Sequence, residues 1–150
     1  MGTRTSKIPV SVIIVSKNEQ KRLGKCLVAL QAFDDIWLVD SRSADQTRSI
    51  AESYGAEGVD YVWNGKYPKK RGWCLENVPC AHDWVLFIDA DEIMTDALAN
   101  EIAALDLTDN NAAAGYFVRG RYIWQGQTLR HGLHNNKIAL LNRHKMDFPS

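Results

Sequence analysis

The chain has 150 residues, the size of one domain or part of one, and 45% of them are hydrophobic, enough for a packed core and too many for a disordered segment. Lysine plus arginine (18) balances aspartate plus glutamate (18), so no basic field points to nucleic acid as a partner. No apolar run approaches the roughly 18 residues that a membrane span needs, and the short polar start does not read as a secretory signal.

Residues 10–15 (Val-Ser-Val-Ile-Ile-Val) are rich in β-branched side chains and predict a buried strand ending at Ser16-Lys17-Asn18-Glu19. Leu23, Leu27 and Leu30 at i, i+4 and i+7 predict a helix, with Cys26 on its apolar face. Ile36-Trp37-Leu38-Val39 is the second predicted strand and ends at Asp40-Ser41. Ser43-Ala44-Asp45-Gln46 has the Ser-x-x-Gln spacing of a capping box. It predicts a second helix with Ile50, Ala51 and Tyr54 facing inward and Gly55 as its stop. Tyr61-Val62-Trp63 predicts a short third strand, and residues 69–78 a loop leading into a short helix closed by Pro79. Trp84-Val85-Leu86-Phe87-Ile88 predicts a buried strand with Trp84 in the core, and residues 96–105 a helix. Residues 106–113 read as a loop, and 115–124 and 137–142 as later strands.

This alternation predicts an α/β domain with a doubly wound, mostly parallel sheet and helices on both faces. No internal boundary is visible. The chain stops at Phe148-Pro149-Ser150 without a closing helix, so residues 1–150 read as a single domain truncated at the C-terminus. Three cysteines, Cys26, Cys74 and Cys80, without CxxC spacing argue against a disulfide scaffold or zinc ribbon and for a reducing cytoplasm.

Three predicted strand ends carry acids: Glu19, Asp40, and Asp89 with Asp91. Parallel strands share a direction, so these ends should lie along one sheet edge, where open α/β sheets bind ligands. If the segment is extended, Asp89 and Asp91 at i and i+2 share a face. Carboxylates that close repel unless a cation intervenes, and a divalent metal carrying phosphate oxygens meets that need. An isolated Asp-x-Asp is more often a solvated turn capping the next helix. The coincidence of three acidic strand ends favours the metal.

The motifs Val12-Ile13-Ile14-Val15-Ser16-Lys17-Asn18-Glu19, Leu38-Val39-Asp40-Ser41-Arg42-Ser43-Ala44-Asp45-Gln46-Thr47 and Phe87-Ile88-Asp89-Ala90-Asp91-Glu92, in that order, resemble the nucleotide-sugar-binding half of family 2 glycosyltransferases. The likeness is greatest to bacterial enzymes of lipopolysaccharide core biosynthesis and runs from Val10 to Asn142. It implies a GT-A fold and an inverting transfer of a hexose from a nucleotide sugar, commonly UDP-linked, with Mg²⁺ or Mn²⁺. The implied acceptor is a saccharide or lipid-linked saccharide on the cytoplasmic side, with peripheral association at the inner membrane left open, as is the oligomeric state. The implied donor site comprises Ser16, Asn18 and Glu19 beside the base, Asp40 and Ser41 at the uridine, and Lys70 and Arg71 beside the diphosphate. Asp89, Ala90 and Asp91 form the DxD-type motif, with Asp91 on the metal and Asp89 on ribose or metal.

Arg42 departs from the family pattern, where a small residue is usual after Asp40-Ser41. The resemblance also requires a general base for the acceptor hydroxyl. Asp106, Asp109 and Asp147 are the acids beyond Glu101, and none is placed convincingly, so the catalytic residue is unassigned. His131 and His134 read as rim residues rather than ligands, and Trp124 as a sugar-stacking candidate. Two alternatives stand beside this reading. A donor-binding fragment without transfer activity is one. A sugar nucleotidyltransferase is the other, disfavoured because Ser16-Lys17-Asn18-Glu19 lacks the glycine-rich phosphate loop of that class. A phospho-acceptor signalling domain fits Asp89-Ala90-Asp91 badly.

Overall fold

A computed structural model describes residues 7–61, 70–105, 107, 115–120, 123–124, 127–128 and 135–144. In chain order the elements are β1 (Ile8–Ser16), α1 (Leu23–Val28), β2 (Phe33–Asp40), α2 (Thr47–Ser53), β3 (Glu57–Asp60), α3 (Lys70–Asn77), β4 (Trp84–Asp89), α4 (Asp96–Ala104), β5 (Gly115–Gly120), β6 (Ile123–Trp124), β7 (Gln127–Thr128) and β8 (Asn135–Asn142). The main sheet runs β3-β2-β1-β4-β8-β5. β1 to β4 are mutually parallel, and β8 pairs antiparallel with both β4 and β5.

The apolar runs of β1 and β4 have side chains buried on both faces, so each side needs a cover. Val12, Ile14, Leu38, Leu86 and Ile88 pack with Leu23 and Leu27 of α1, Ala51 of α2, and Ala99 and Ile102 of α4. Ile13, Val39, Val85 and Phe87 on the other face pack with Cys74 of α3. Helices α1 and α2 carry the chain outward from β1 to β3. Helix α3, on the opposite face, returns it to the far side of β1. Strand order therefore reverses between β1 and β4, the position where such sheets leave a crevice at their C-terminal edge. This is the doubly wound arrangement of the GT-A fold, as expected.

Several boundaries differ from the expected ones for identifiable reasons. Helix α1 ends at Val28, and Leu30, though fully buried, lies in the turn that delivers Phe33 to β2. One extra residue of β1 falls between Ile8 and Ser11, where Pro9 lacks the N–H that a regular ladder would use. A strand forms at Glu57–Asp60, ahead of the expected one at Tyr61-Val62-Trp63, of which Val62 and Trp63 lie outside the described residues. The cause is the stop of α2. Gly55 adopts φ +85°, while the amides of Gly55 and Ala56 donate to the carbonyls of Glu52 and Ala51. That Schellman closure delivers the chain to the edge of β2 at once. Tyr61 leaves the strand to pack edge-on against Trp73, with ring centroids 5.0 Å apart. Of the expected strand over 115–124, Gly115–Gly120 form β5 and Ile123–Trp124 form β6, which pairs in a separate ribbon with β7, and residues 121–122 lie outside the described residues. Trp84 is core, 4% exposed.

Candidate functional site

Parallel register brings the predicted strand ends together. Ser16 pairs with Asp40 across β1 and β2, and Val15 with Asp89 across β1 and β4. The two loops that leave β1 and β2 are then tied by reciprocal hydrogen bonds. The Asn18 amide donates to Ser43 Oγ (2.8 Å), and the Ala44 amide to Asn18 Oδ1 (2.8 Å). The Glu19 amide donates to Thr47 Oγ1 (2.9 Å), and the Gln46 amide to Gln20 Oε1 (2.9 Å). The Gln20 amide reaches Asp45 Oδ2 at 3.3 Å. Asn18 and Arg42, both left-handed with φ 53° and 55°, make the turns that align these loops.

Asp40 anchors the arrangement. Its side chain is buried, and it accepts from Ser16 Oγ (3.1 Å), the Ser43 amide (3.0 Å) and Ser43 Oγ. The expected capping box is therefore not formed. Ser43 turns back to the strand end, and the side chain of Gln46, the N-cap residue of α2, makes no capping hydrogen bond. Asp45 instead takes the Thr47 amide and hydroxyl. The Thr47 hydroxyl, against the opposing effect of burial, holds the Asp45 carboxyl below the usual carboxylate range.

At the end of β4 the chain turns. The Glu92 amide donates to the Asp89 carbonyl (2.9 Å), and Glu92 Oε1 accepts from the Asp89 amide (2.8 Å). Asp91 thus lies in a turn and not in an extended strand, so the i, i+2 argument for a shared face does not apply to it. Both aspartates nevertheless border the same cleft. Val15, Ser16, Lys17, Glu19, Asp89, Ala90 and Asp91 line a pocket of about 300 Å³ at the β1/β4 reversal. Of the expected donor-site residues, Ser16, Glu19, Asp89, Ala90 and Asp91 meet there. Asn18, Asp40 and Ser41 stand outside its lining. Asn18 and Asp40 hold the loops behind it. Lys70 and Arg71 form the start of α3, and their side chains lie outside the described residues, as do His131, His134, Asp106, Asp109 and Asp147 and the side chain of Trp124.

Two cations belong to the site that sequence reading did not single out. Lys17 lines the pocket. Arg22 holds Glu19 Oε1 at 2.6 Å and approaches Asp91 Oδ2 at 3.6 Å. The other Glu19 oxygen, Oε2, is buried with no hydrogen-bond partner among the described residues. The signal for Arg22 was its place three residues after Glu19, within one helical turn. Negative potential at this edge also acts beneath it. Cys26 Sγ lies 3.8 Å from the Asp89 carbonyl oxygen, and its thiol is pushed up to about 12 by burial first and then by Glu92, Asp91 and Asp89. Cys26 therefore stays a protonated core thiol.

Among the described residues no group of three or more His, Cys, Asp or Glu side chains is placed to hold a metal ion. Asp89 and Asp91, two of the three carboxylates that line the pocket with Glu19, suit a hard cation of the Mg²⁺ type, which takes one or two protein carboxylates and completes its shell with phosphate oxygens and water. No described helix is long and apolar enough to cross a membrane.

Comparison with known proteins places these features in a family context. The family model for Glycosyl transferase family 2 matches residues 11–148. The lipopolysaccharide core biosynthesis glycosyltransferase LpsC of Rhizobium meliloti is 32% identical over 146 residues, covering 93% of this chain and 53% of LpsC. An uncharacterized glycosyltransferase of Rickettsia bellii is 35% identical over 102 residues, covering 67% of this chain and 34% of that protein. Among solved structures, S. aureus TarS is similar with a TM-score of 0.52 and 26% identity, covering 63% of this chain and 19% of TarS. The chain thus spans between 34% and 53% of these two curated relatives' lengths.

Proposed function

Because the chain belongs to glycosyl transferase family 2, we propose that its strand-end cleft binds a UDP-linked hexose with a divalent cation, Mg²⁺ or Mn²⁺. In the whole protein this serves inverting transfer of the hexose to a saccharide or lipid-linked acceptor at the cytoplasmic face of the inner membrane. The observation that carries the reading is the convergence of Asp89, Asp91, Glu19, Ser16 and Lys17 on one pocket at the point where strand order reverses. The similarity to LpsC supports a saccharide acceptor.

Each residue has a role that follows from its chemistry. Asp91, half-exposed and in a turn, is the first metal carboxylate. Asp89, at the strand end, supplies a second or accepts from ribose. When bound, the cation stabilises the negative charge that grows on the diphosphate leaving group. Lys17 adds a positive partner for phosphate oxygens from the β1 side, and Lys70 and Arg71 do so from the start of α3. Glu92 holds the turn through the Asp89 amide rather than touching the donor. Asp40 acts through Ser16 and Ser43, keeping the wall of the base pocket in place with Asn18 and Ser41. A donor-binding piece without transfer activity is the second reading, favoured by the share of its relatives that the chain spans.

Titration calorimetry with UDP tests the reading. Binding at least about tenfold tighter with Mn²⁺ than with a chelator present is expected. Equal affinity in the two conditions, or none in either, overturns it. Hydrolysis of a UDP-sugar by this chain, compared with a longer chain, separates donor binding from transfer.

A further inference from the structure

The exposed large hydrophobic side chains among the described residues are Val28, Tyr54 and Ile93, with exposures of 59%, 38% and 60%. They are far apart in sequence, yet all three line one groove of about 750 Å³ along α1 and α2. Scattered single apolar side chains need no explanation, but convergence of all of them on one concavity does. Lys21 and Lys25 line the same groove, and its described lining contains no carboxylate. Its lining includes Gln20 and Ile93, the residues that follow Glu19 and Glu92, so the groove lies beside the carboxylate edge.

We propose that this groove is a docking surface for an anionic phospholipid bilayer. Aliphatic side chains to insert, a tyrosine at the level of the headgroups and lysines facing lipid phosphates are the components of an interfacial binding patch. Two lysines with no carboxylate in the described lining distinguish it from a surface awaiting a neutral partner. The purpose of docking rests on the donor-binding reading: it sets the mouth of the cleft at the membrane, where a lipid-linked acceptor is presented in the plane of the bilayer.

Co-sedimentation of the chain with vesicles of phosphatidylcholine plus phosphatidylglycerol, and with phosphatidylcholine alone, tests this. The chain is expected to sediment with the anionic vesicles, less so as salt is raised, and not with the neutral ones. Lys21→Gln and Lys25→Gln should each weaken partitioning about fivefold. The pair Val28→Ser with Ile93→Ser should weaken it about tenfold or more. These side chains are exposed, so thermal unfolding and UDP calorimetry of all variants should match the parent chain. No sedimentation with anionic vesicles, equal binding to neutral ones, or variants that bind like the parent overturns the proposal. A dimer in sedimentation equilibrium that the same substitutions dissolve also overturns it, since the groove then takes a second copy. The UDP titration fails or succeeds independently, so the two readings are separable.

Discussion

Asp91→Ala is expected to remove the Mn²⁺-dependent part of UDP binding, about 100-fold in affinity, and to leave the fold intact. The first half follows from ligand number. The pocket offers two carboxylates at the end of β4, and among the described residues no third ligand completes a protein-only site. Losing one of two leaves a single carboxylate, with the rest of the ion's shell made of phosphate oxygens and water, which nucleotide in solution already supplies. A carboxylate bound directly to the metal should cost at least as much as the 10- to 100-fold typical of a residue that only orients such a ligand, so the upper end, about 2.7 kcal/mol, is the relevant scale. The second half follows from exposure. The Asp91 side chain is 48% exposed, and its contact with Arg22 is 3.6 Å long, a pair of the kind worth about 0–1 kcal/mol. Calorimetry with and without Mn²⁺, paired with urea unfolding, reads both halves. Unchanged metal-dependent binding removes Asp91 from the metal.

The second large effect concerns stability. Asp40→Ala is expected to destabilise the chain by about 3–5 kcal/mol and to weaken UDP binding as a consequence. Asp40 is 3% exposed and is the common acceptor for Ser16 Oγ, Ser43 Oγ and the Ser43 amide. Replacing a buried charge with a well-packed apolar group is sometimes neutral, but alanine leaves three donors without their acceptor. A loss of that size is a large share of the 5–15 kcal/mol that typically separates folded from unfolded chains. Asp40→Asn should lie in between, because one of its two polar atoms presents hydrogens to donors. Urea unfolding measures the stability, and calorimetry the binding. If stability is unchanged while UDP binding falls, Asp40 touches the base directly, as the family resemblance implies, rather than acting through Ser16 and Ser43.

The legible parts of this molecule are those governed by local pattern. The β-branched run of β1 and the apolar run of β4 announce buried parallel strands. Their acidic ends announce a shared acidic edge, because all strands of a parallel set finish on one side. Gly55 announces the stop of α2. What escapes sequence reading is set by partners distant in the chain. Ser43 has the spacing of a capping residue, but Asp40 and Asn18 compete for it, and the Asn18 contact spans 25 residues. Asn18 looks like a ligand-facing residue because it ends a strand, yet its side chain binds the opposing loop. Glu57-Gly58-Val59-Asp60 has little β-propensity of its own. It is a strand because the closure of α2 places it against β2. Asp91 leaves the extended register because Glu92 closes a turn on Asp89, a contact that the order of residues permits but does not require.

The central claim is that a divalent ion and a diphosphate sit between the ends of β1 and β4. Paramagnetic broadening of backbone amide resonances by Mn²⁺ in the presence of UDP tests it most directly. The account predicts that the amides of Ser16, Lys17, Ala90, Asp91 and Glu92 are broadened at low Mn²⁺ occupancy. Those of Ala99 and Ile102, buried in α4 within the core on one face of the sheet, should persist. It also predicts that Asp91→Ala abolishes the broadening. Broadening centred elsewhere, or retained at these amides in Asp91→Ala, would contradict it.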